Sequence, residues 1–256
     1  MNNINKRQSE IYYMVKEHGN MFVKDIIPQF SVSAATIRKD LSILQDAGML
    51  QRTHGEVHIS QQTDPVTPYE ARSGLNTEAK EAIARRAVQE IRDGESIILD
   101  SGTTTIEIAR LLKNRTNLTV ITNSLPIAMT FSTSQVSVTL VGGILLGKNL
   151  SVLGPDAEAY LQNIVVDKTF ISAPGIRSQY GLVTSHPLEA SIKRKMIESG
   201  RKVYAVLDSS KLSKTSVHPV AAFSEIDYLV TELPVLDEEL QKTLRESRVQ
   251  VLVAEN

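Results

Sequence analysis

The feature that most constrains the fold is an alternation of short apolar runs with amphipathic segments between residues 77 and 253. Runs such as 96–99 and 203–207 carry no charge, which is typical of strands buried on both faces. Segments such as 77–92 and 188–199 have apolar residues at helical spacing. This alternation predicts an α/β domain whose mostly parallel sheet is covered by helices on both faces. Ligands of such sheets bind beyond the carboxyl ends of the strands, so functional residues are expected just after each strand.

The first 60 residues follow a different pattern, which predicts three helices and a hairpin. The second helix is expected at 23–30, where Pro28 should kink or shorten it. A third helix should begin after the N-cap Ser33 and run to about Ala47. Two short extended runs around residues 54–56 indicate a hairpin. Together these elements predict a winged helix-turn-helix, whose third helix enters the major groove of DNA.

Candidate DNA-binding residues lie in the third helix and near the hairpin tip. Small and hydroxyl side chains in the first two turns permit a close approach to the groove, while Arg38 and Lys39 can reach bases or phosphates. Arg52 and His54 flank the hairpin tip and suit a groove edge. A helical domain with merely solvated charges is the alternative interpretation. The predicted contact residues are Ser33, Ala35, Thr36, Arg38, Lys39, Arg52 and His54.

A polar, proline-containing stretch around residues 60–68 separates the two patterns. We therefore predict a DNA-binding domain over residues 1–60, a linker over 61–76 and a second domain over 77–256. A long surface loop inside a single domain is the alternative. The linker is favoured because the two flanks differ in architecture.

Composition and charge limit the classes of function. Lys and Arg number 28 and Asp and Glu number 29, so the formal net charge is -1 and DNA binding requires a local basic patch. The sequence has no cysteine, which excludes disulfides and thiolate metal sites. His54 and His58 lack further ligands nearby, and we expect neither a metal nor another cofactor. No apolar run of about 18 residues and no signal-peptide core are present, so we expect a cytoplasmic protein without a membrane span.

The strongest chemical signal is Asp100-Ser101-Gly102-Thr103-Thr104, between a predicted strand and a predicted helix. Gly102 permits a sharp turn, and the hydroxyl groups and first helical N–H groups then face one place, as an anion site requires. No Gly-Lys-Ser/Thr follows the glycine, so the loop suits a small phosphate ester better than a nucleoside triphosphate. Ordinary capping of the helix by Ser and Thr is the alternative.

Loops after the other strands should meet at the same edge of the sheet. Lys211 suits a phosphate, whereas Asp100, Asn123 and Asp208 suit the hydroxyl groups of a sugar. The predicted ligand-binding residues are Asp100, Ser101, Gly102, Thr103, Thr104, Asn123, Gly142, Gly143, Glu189, Asp208 and Lys211.

Three segments, Ala35-Thr36-Ile37-Arg38-Lys39-Asp40-Leu41, Leu44-Gln45-Asp46-Ala47-Gly48 and Arg52-Thr53-His54-Gly55, resemble the DeoR family of bacterial transcriptional repressors. The resemblance extends from about Lys6 to Val253 and implies a sensor domain similar in fold to ribose-5-phosphate isomerases. It implies that Asp100–Thr104 is the phosphate loop and that Asp208–Lys211 lines the pocket. It further implies a repressor of a sugar-utilisation operon that binds operator DNA as a homo-oligomer, dimer or tetramer, and responds to a phosphorylated sugar. Glu56 departs from the family, which usually has glycine there.

The rival function is a sugar-phosphate isomerase or deaminase. Isomerisation needs a positioned carboxylate base, and residues 171–176, where the similar isomerases have acids, contain none. Glu189 remains, with Lys193 four residues later, a spacing more typical of a pair on a helix surface. Glu189 also suits the hydroxyl groups of a ligand. We therefore predict no catalytic activity, and a pure protein-interaction module is a weaker third alternative because it leaves the threonine-rich loop unexplained.

Overall fold

The computed structural model describes residues 5–46, 49–53, 55–59, 69–214, 216–235 and 237–254. The chain divides into two compact units, residues 1–75 and 76–256. The first unit contains α1 (Lys6–His18), β1 (Asn20–Phe22), α2 (Val23–Ile26), α3 (Ala34–Asp46), β2 (Leu50–Thr53), β3 (Glu56–Ile59) and α4 (Tyr69–Ser73). Its strands form an antiparallel sheet in the order β1-β3-β2. The predicted winged helix-turn-helix is confirmed, and β1 is an additional strand that the sequence analysis did not predict.

Local chemistry accounts for the helix boundaries of this unit. The Ser33 hydroxyl accepts a hydrogen bond from the Thr36 N–H at 3.2 Å, so Ser33 caps α3 as predicted. Pro28 lacks an N–H group, and α2 ends at Ile26, before a 3-10 turn at Ile27–Gln29. The expectation that Pro28 shortens the second helix is thus confirmed. Fully buried side chains from α1, α2 and α3 form one apolar core, among them Ile11, Val15, Ile26, Ile37, Leu41 and Leu44.

The stretch predicted to be a linker, 61–76, is partly folded. Residues 61–68 lie outside the described residues, whereas α4 follows them and buries Ala71 in the core of the first unit. Gly74 lies so close to α1 that a Cβ atom there would be 2.9 Å from the Ser9 hydroxyl oxygen. The prediction of a linker is therefore wrong for residues 69–75, because a small apolar side chain and a glycine let this segment pack on α1.

The second unit contains the helices α5 (Thr77–Val88), α6 (Thr105–Leu112), α7 (Leu125–Thr130), α8 (Pro155–Gln162), α9 (Pro187–Ser199) and α10 (Glu238–Glu246). Its strands are β4 (Ser96–Leu99), β5 (Thr119–Thr122), β6 (Ser137–Leu140), β7 (Ile144–Leu146), β8 (Ser151–Leu153), β9 (Val166–Ile171), β10 (Gly175–Arg177), β11 (Gly181–Thr184), β12 (Gly200–Val206), β13 (His218–Ala221), β14 (Tyr228–Thr231) and β15 (Gln250–Val253).

Seven of these strands form the predicted parallel sheet, in the order β15-β14-β12-β9-β4-β5-β6. Helices pack on both faces, with Met196 of α9 and Ile83 of α5 fully buried. The predicted α/β fold is confirmed. Two smaller sheets, β10-β11-β13 and the β7-β8 hairpin, were not predicted.

The order of the strands reverses beside β4. The chain runs from β4 outward to β5 and β6, then returns to the other side of β4 as β9. Leu99 at the end of β4 is level with Thr122 of β5 and Phe170 of β9. The residues that follow these three strands therefore leave the sheet at one edge. A reversal of this kind opens the crevice in which α/β proteins bind ligands.

Candidate functional site

An ion pair occupies the point where the strand order reverses. Asp100 follows β4, is completely buried, and pairs through Oδ2 with the Lys193 ammonium group of α9. The same oxygen accepts hydrogen bonds from the Ser172 N–H at 3.1 Å and from the Ser172 hydroxyl at 3.2 Å. Lys193 also donates to the Ser172 carbonyl oxygen at 3.0 Å. The loops after β4 and β9 are thus held together by one buried polar cluster.

The predicted phosphate loop folds around the first turn of α6. The Thr105 hydroxyl donates to the Asp100 carbonyl oxygen at 2.6 Å and accepts the Gly102 N–H at 3.0 Å. A Cβ atom at residue 102 would overlap the Ser172 hydroxyl, so this close approach requires glycine. The loop therefore stands at a helix N-terminus, where unpaired N–H groups favour an anion. Its other members, all buried, are Ser101, Thr103 and Thr104.

Two buried oxygen atoms beside this loop have no hydrogen-bond donor among the described residues. They are Asp100 Oδ1 and Asn123 Oδ1, at the ends of the adjacent strands β4 and β5. The Asn123 side chain is fixed because its Nδ2 donates to the Val152 carbonyl oxygen at 3.1 Å. The Ser151 hydroxyl and His186 Nδ1 are also buried without a partner in the described ranges. Buried polar atoms are normally paired, so these atoms mark a place for a ligand or for water.

Glu189 and Lys193 do not form the surface pair that their spacing suggested. Both side chains are buried, because α9 packs against β9. Glu189 accepts a hydrogen bond from the Thr184 hydroxyl at 2.9 Å and another from the Asn149 amide, while Lys193 pairs with Asp100. The burial of both side chains excludes the helix-surface pair, and the assignment of Glu189 to the ligand stays a prediction. Lys193 is a member of the candidate site that the sequence analysis did not include.

Asp208, which follows β12, is also almost completely buried. Its Oδ1 accepts the Asn76 amide at 3.0 Å, the Ser210 N–H at 3.2 Å and the Ser210 hydroxyl. Lys211 lies at the end of the 3-10 turn that begins with Ser209. The structure thus places the loop after β12 at the carboxyl edge of the sheet, as predicted, and adds Asn76 to its surroundings.

The predicted glycine pair leads into the β7-β8 hairpin. Gly142 and Gly143 are exposed, and Gly143 has a φ of 141° and lies against the Leu153 backbone of β8. The same hairpin holds Asn149, the partner of Glu189, and Val152, the partner of Asn123. The glycine pair therefore shapes the hairpin that closes this side of the candidate site.

Four of the six predicted DNA-contact residues that the structure describes are exposed. Arg38 and Lys39 project from α3 into solvent, while Arg52 on β2 is half-buried. The Thr36 hydroxyl is within 2.8 Å of the Ser33 hydroxyl, so it contributes to the cap as well as to the surface. His54 lies outside the described residues. The exposed predicted contacts are Ser33, Ala35, Arg38 and Lys39.

A buried carboxylate fixes the predicted recognition helix on α1. Asp40 of α3 accepts the Arg7 Nε–H at 2.6 Å and the Gln8 side-chain amide at 2.8 Å. The hydrogen bond to Asp40 raises the pKa of Arg7. Gln8 also forms a capping box with Asn5 at the start of α1. This role was not predicted, although its signal in the sequence is an acid between Ile37 and Leu41, which are both buried.

Two negative findings apply to the described residues alone. In these ranges no group of three or more His, Asp or Glu side chains is arranged to hold a metal ion. None of the described helices combines the length and the apolar character needed to cross a membrane.

A winged helix-turn-helix is followed by an α/β unit that has a buried polar cluster at the N-terminus of α6. This combination is typical of two-domain transcriptional regulators with a ligand-sensing domain. Comparison with known families specifies the class further. Residues 7–63 match the DeoR-like helix-turn-helix domain, and residues 75–233 match the DeoR C terminal sensor domain. The chain belongs to the DeoR family of transcriptional regulators.

Individual relatives match over most of their length. The transcriptional repressor AccR of Agrobacterium fabrum is 36% identical over 233 residues, 90% of each chain. The glycerol-3-phosphate regulon repressor of Escherichia coli K12 is 30% identical over 230 residues, 90% of this chain and 91% of that one. Among solved structures, ribose 5-phosphate isomerase A from Methanocaldococcus jannaschii is 20% identical with a TM-score of 0.41, covering 54% of this chain and 56% of that one.

The family assignment decides between the functions that the sequence left open. The matched relatives are transcriptional regulators, and the DNA-binding unit spans residues 7–63. The predicted class of function, a DNA-binding regulator rather than an enzyme, is confirmed. The isomerase or deaminase alternative is not favoured.

Proposed function

We propose that this regulator is a repressor of sugar utilisation whose affinity for operator DNA falls when a phosphorylated sugar binds at the crevice beside β4. The observation that carries the proposal is the pair of buried, unpartnered acceptors, Asp100 Oδ1 and Asn123 Oδ1, next to the N-terminus of α6. One part of this crevice suits an anion, and the other suits hydroxyl donors.

We assign the phosphate group of the effector to the loop Asp100–Thr104. A helix N-terminus offers N–H groups and a partial positive charge, and the loop adds the hydroxyls of Ser101 and Thr103. We assign Lys211 to the same phosphate as a point charge. Lys193 instead holds the site together, because its ammonium group pairs with Asp100 and donates to the Ser172 carbonyl oxygen.

The remaining part of the ligand must supply hydrogen-bond donors. A buried acceptor without a donor costs about 1–3 kcal/mol, so a ligand that donates to Asp100 Oδ1 and Asn123 Oδ1 gains up to that amount at each atom. Phosphate oxygens are mainly acceptors and cannot meet both demands. Hydroxyl or amino groups on a carbon chain can meet them. A phosphate joined to a polyol therefore fits the crevice better than inorganic phosphate does.

The experiment uses the purified full chain, DNA from upstream of its own gene, and three probes: glycerol 3-phosphate, glucosamine 6-phosphate and sorbitol 6-phosphate. Calorimetry measures binding of each probe, and fluorescence anisotropy measures release of DNA. We expect Thr103→Ala and Lys211→Ala to lose the response and keep DNA affinity, whereas Thr119→Ala, an exposed position on β5, should behave as the wild type. Unchanged responses in both site variants would refute the placement of the phosphate.

The DNA-binding surface is proposed to be the exposed face of α3 together with the wing: Ser33, Ala35, Thr36, Arg38, Lys39, Arg52 and His54. One winged helix reads few base pairs, so we propose that a symmetric dimer or tetramer binds a palindromic site. Arg38→Ala should weaken specific binding by about 1–3 kcal/mol, and Lys39→Ala should reduce the salt slope by about 1. The exposed Gln45 on the same helix gives the control, Gln45→Ala. Operator binding by Arg38→Ala at the level of this control would argue against α3 as the reading helix.

A further inference from the structure

Asn76 is the first residue of the second compact unit and has an unusual conformation. It directly precedes α5, and its carbonyl oxygen accepts the Lys80 N–H at 3.0 Å, so it holds the N-cap position of that helix. Its φ of 49° and ψ of 40° are left-handed, a region that asparagine tolerates better than most residues. An N-cap side chain usually bonds to its own helix. The Asn76 side chain makes no such bond.

The Asn76 side chain instead reaches the loop after β12, which carries the predicted ligand contacts Asp208 and Lys211. Its Nδ2 donates to Asp208 Oδ1 at 3.0 Å and lies 3.1 Å from the Ser210 hydroxyl oxygen. Asp208 Oδ1 also takes the N–H and the hydroxyl of Ser210, so this oxygen already has three donors. Two of them come from a residue two positions away in the chain. Asn76 is the donor that lies 132 residues away in sequence.

We propose that Asn76 is a positioning residue of the effector response, and that an effector competes with it for Asp208 and Ser210. The inference rests on the proposed function, because it requires a ligand at this edge of the sheet. A carboxylate oxygen offers about two lone pairs, and Asp208 Oδ1 is already crowded by three donors, so a hydroxyl group that binds this oxygen displaces one of them. Displacing Asn76 releases the N-cap residue of α5, where the chain enters the sensor domain.

The competition predicts opposite changes in two affinities. Asn76→Gly keeps the left-handed backbone available and removes the amide. The effector then no longer competes, so we expect it to bind about fivefold more tightly, the factor for one net hydrogen bond. The effector-free state loses the same bond, so operator affinity without effector should fall by about the same factor. Structural damage alone would weaken effector binding rather than strengthen it.

A second pair of variants tests the hydrogen bond without any effector. Asn76→Asp tolerates the same backbone conformation but sets one carboxylate against another, and we expect operator affinity to fall by about tenfold. In the double variant N76D/D208N the side chain at position 208 donates and the side chain at position 76 accepts. This reversed hydrogen bond should restore operator affinity to near the wild-type value. Asn114→Gly, at an exposed asparagine after α6, is the control for loss of an amide.

The measurements are calorimetry with the tightest-binding of glycerol 3-phosphate, glucosamine 6-phosphate and sorbitol 6-phosphate, and anisotropy with upstream DNA. Tighter effector binding by Asn76→Gly, with recovery of DNA affinity in the double variant, supports the inference. Wild-type values for Asn76→Gly in both assays, or no recovery in the double variant, overturn it. If no probe binds the wild type, the proposed function has failed, and the DNA measurements on N76D and N76D/D208N still decide the role of Asn76.

Discussion

Replacing Lys193 with methionine would leave one buried carboxylate without its cation. The Lys193 side chain is 5% exposed and Asp100 is fully buried, so the pair is shielded from bulk water. The Asp100 carboxylate would keep the Ser172 N–H and hydroxyl as donors at 3.1 and 3.2 Å. Methionine fills a volume similar to that of the lysine stem, so the change is mainly one of charge.

The expected loss of stability follows from the burial of both members of the Asp100–Lys193 ion pair. Removing one member of a buried ion pair typically destabilises a protein by about 3–5 kcal/mol, because the other charge remains buried and uncompensated. Removing both charges is often nearly neutral. We therefore expect Lys193→Met to lower the free energy of unfolding by about 3–5 kcal/mol and the double variant D100N/K193M to recover most of that loss. The recovery distinguishes an unpaired charge from poor packing.

Urea unfolding followed by far-ultraviolet circular dichroism measures these differences. Lys195→Met is the matched control, because Lys195 lies on the same helix and pairs with Glu198, which is 50% exposed. Such exposed pairs contribute about 0–1 kcal/mol. The reasoning is refuted if Lys193→Met is no less stable than Lys195→Met. A double variant that shows the sum of the two single losses would also contradict it.

Two further predictions concern carboxylates outside the effector site. Asp40→Ala removes the acceptor of two α1 side chains, and we expect a loss of about 1–3 kcal/mol in urea unfolding, with weaker operator binding because α3 loses its anchor. Hydrogen bonds from the Ser96 N–H and hydroxyl lower the pKa of Asp167 below 3.8. The Asp167 carboxylate therefore stabilises the fold above that pH. This stabilisation is lost as the pH falls through the pKa of the folded state. Wild type and Asp167→Asn should therefore differ in urea midpoint near neutral pH and converge in acid, and a constant difference would contradict this.

The central sheet could be predicted because its signal is local. Every strand of the seven-stranded sheet contains or adjoins a short apolar run, and amphipathic helices separate most of these runs. The smaller strands could not be predicted in this way. Gly181–Thr184, for example, is stabilised by pairing with His218–Ala221, far along the chain. A run of three or four residues has too little pattern of its own to identify such a strand.

In the candidate site, too, the features with a local sequence signal could be predicted, and those that depend on distant contacts could not. The loop Asp100–Thr104 is contiguous, so its residue types and its place between a strand and a helix predict an anion site without further knowledge. The pair of Asp100 with Lys193 joins residues 93 positions apart. The spacing of Glu189 and Lys193 is typical of a pair on a helix surface, and the sequence does not show that α9 buries this face as well. The contact of Asn76 with Asp208 could not be predicted either, because these residues are 132 positions apart in the sequence.

The hydrogen bond between Asn76 and Asp208 is strong enough to account for a tenfold change in DNA affinity. A tenfold release of DNA requires about 1.4 kcal/mol of differential effector affinity between the two states. One net hydrogen bond in a protein contributes about 0.5–1.5 kcal/mol. Exchange of the Asn76 donor for an effector hydroxyl at Asp208 is thus of the right magnitude, and a large repacking of the sensor core is not required. Because the seven-stranded sheet is closely packed, the response is expected at the start of α5 rather than within the strands.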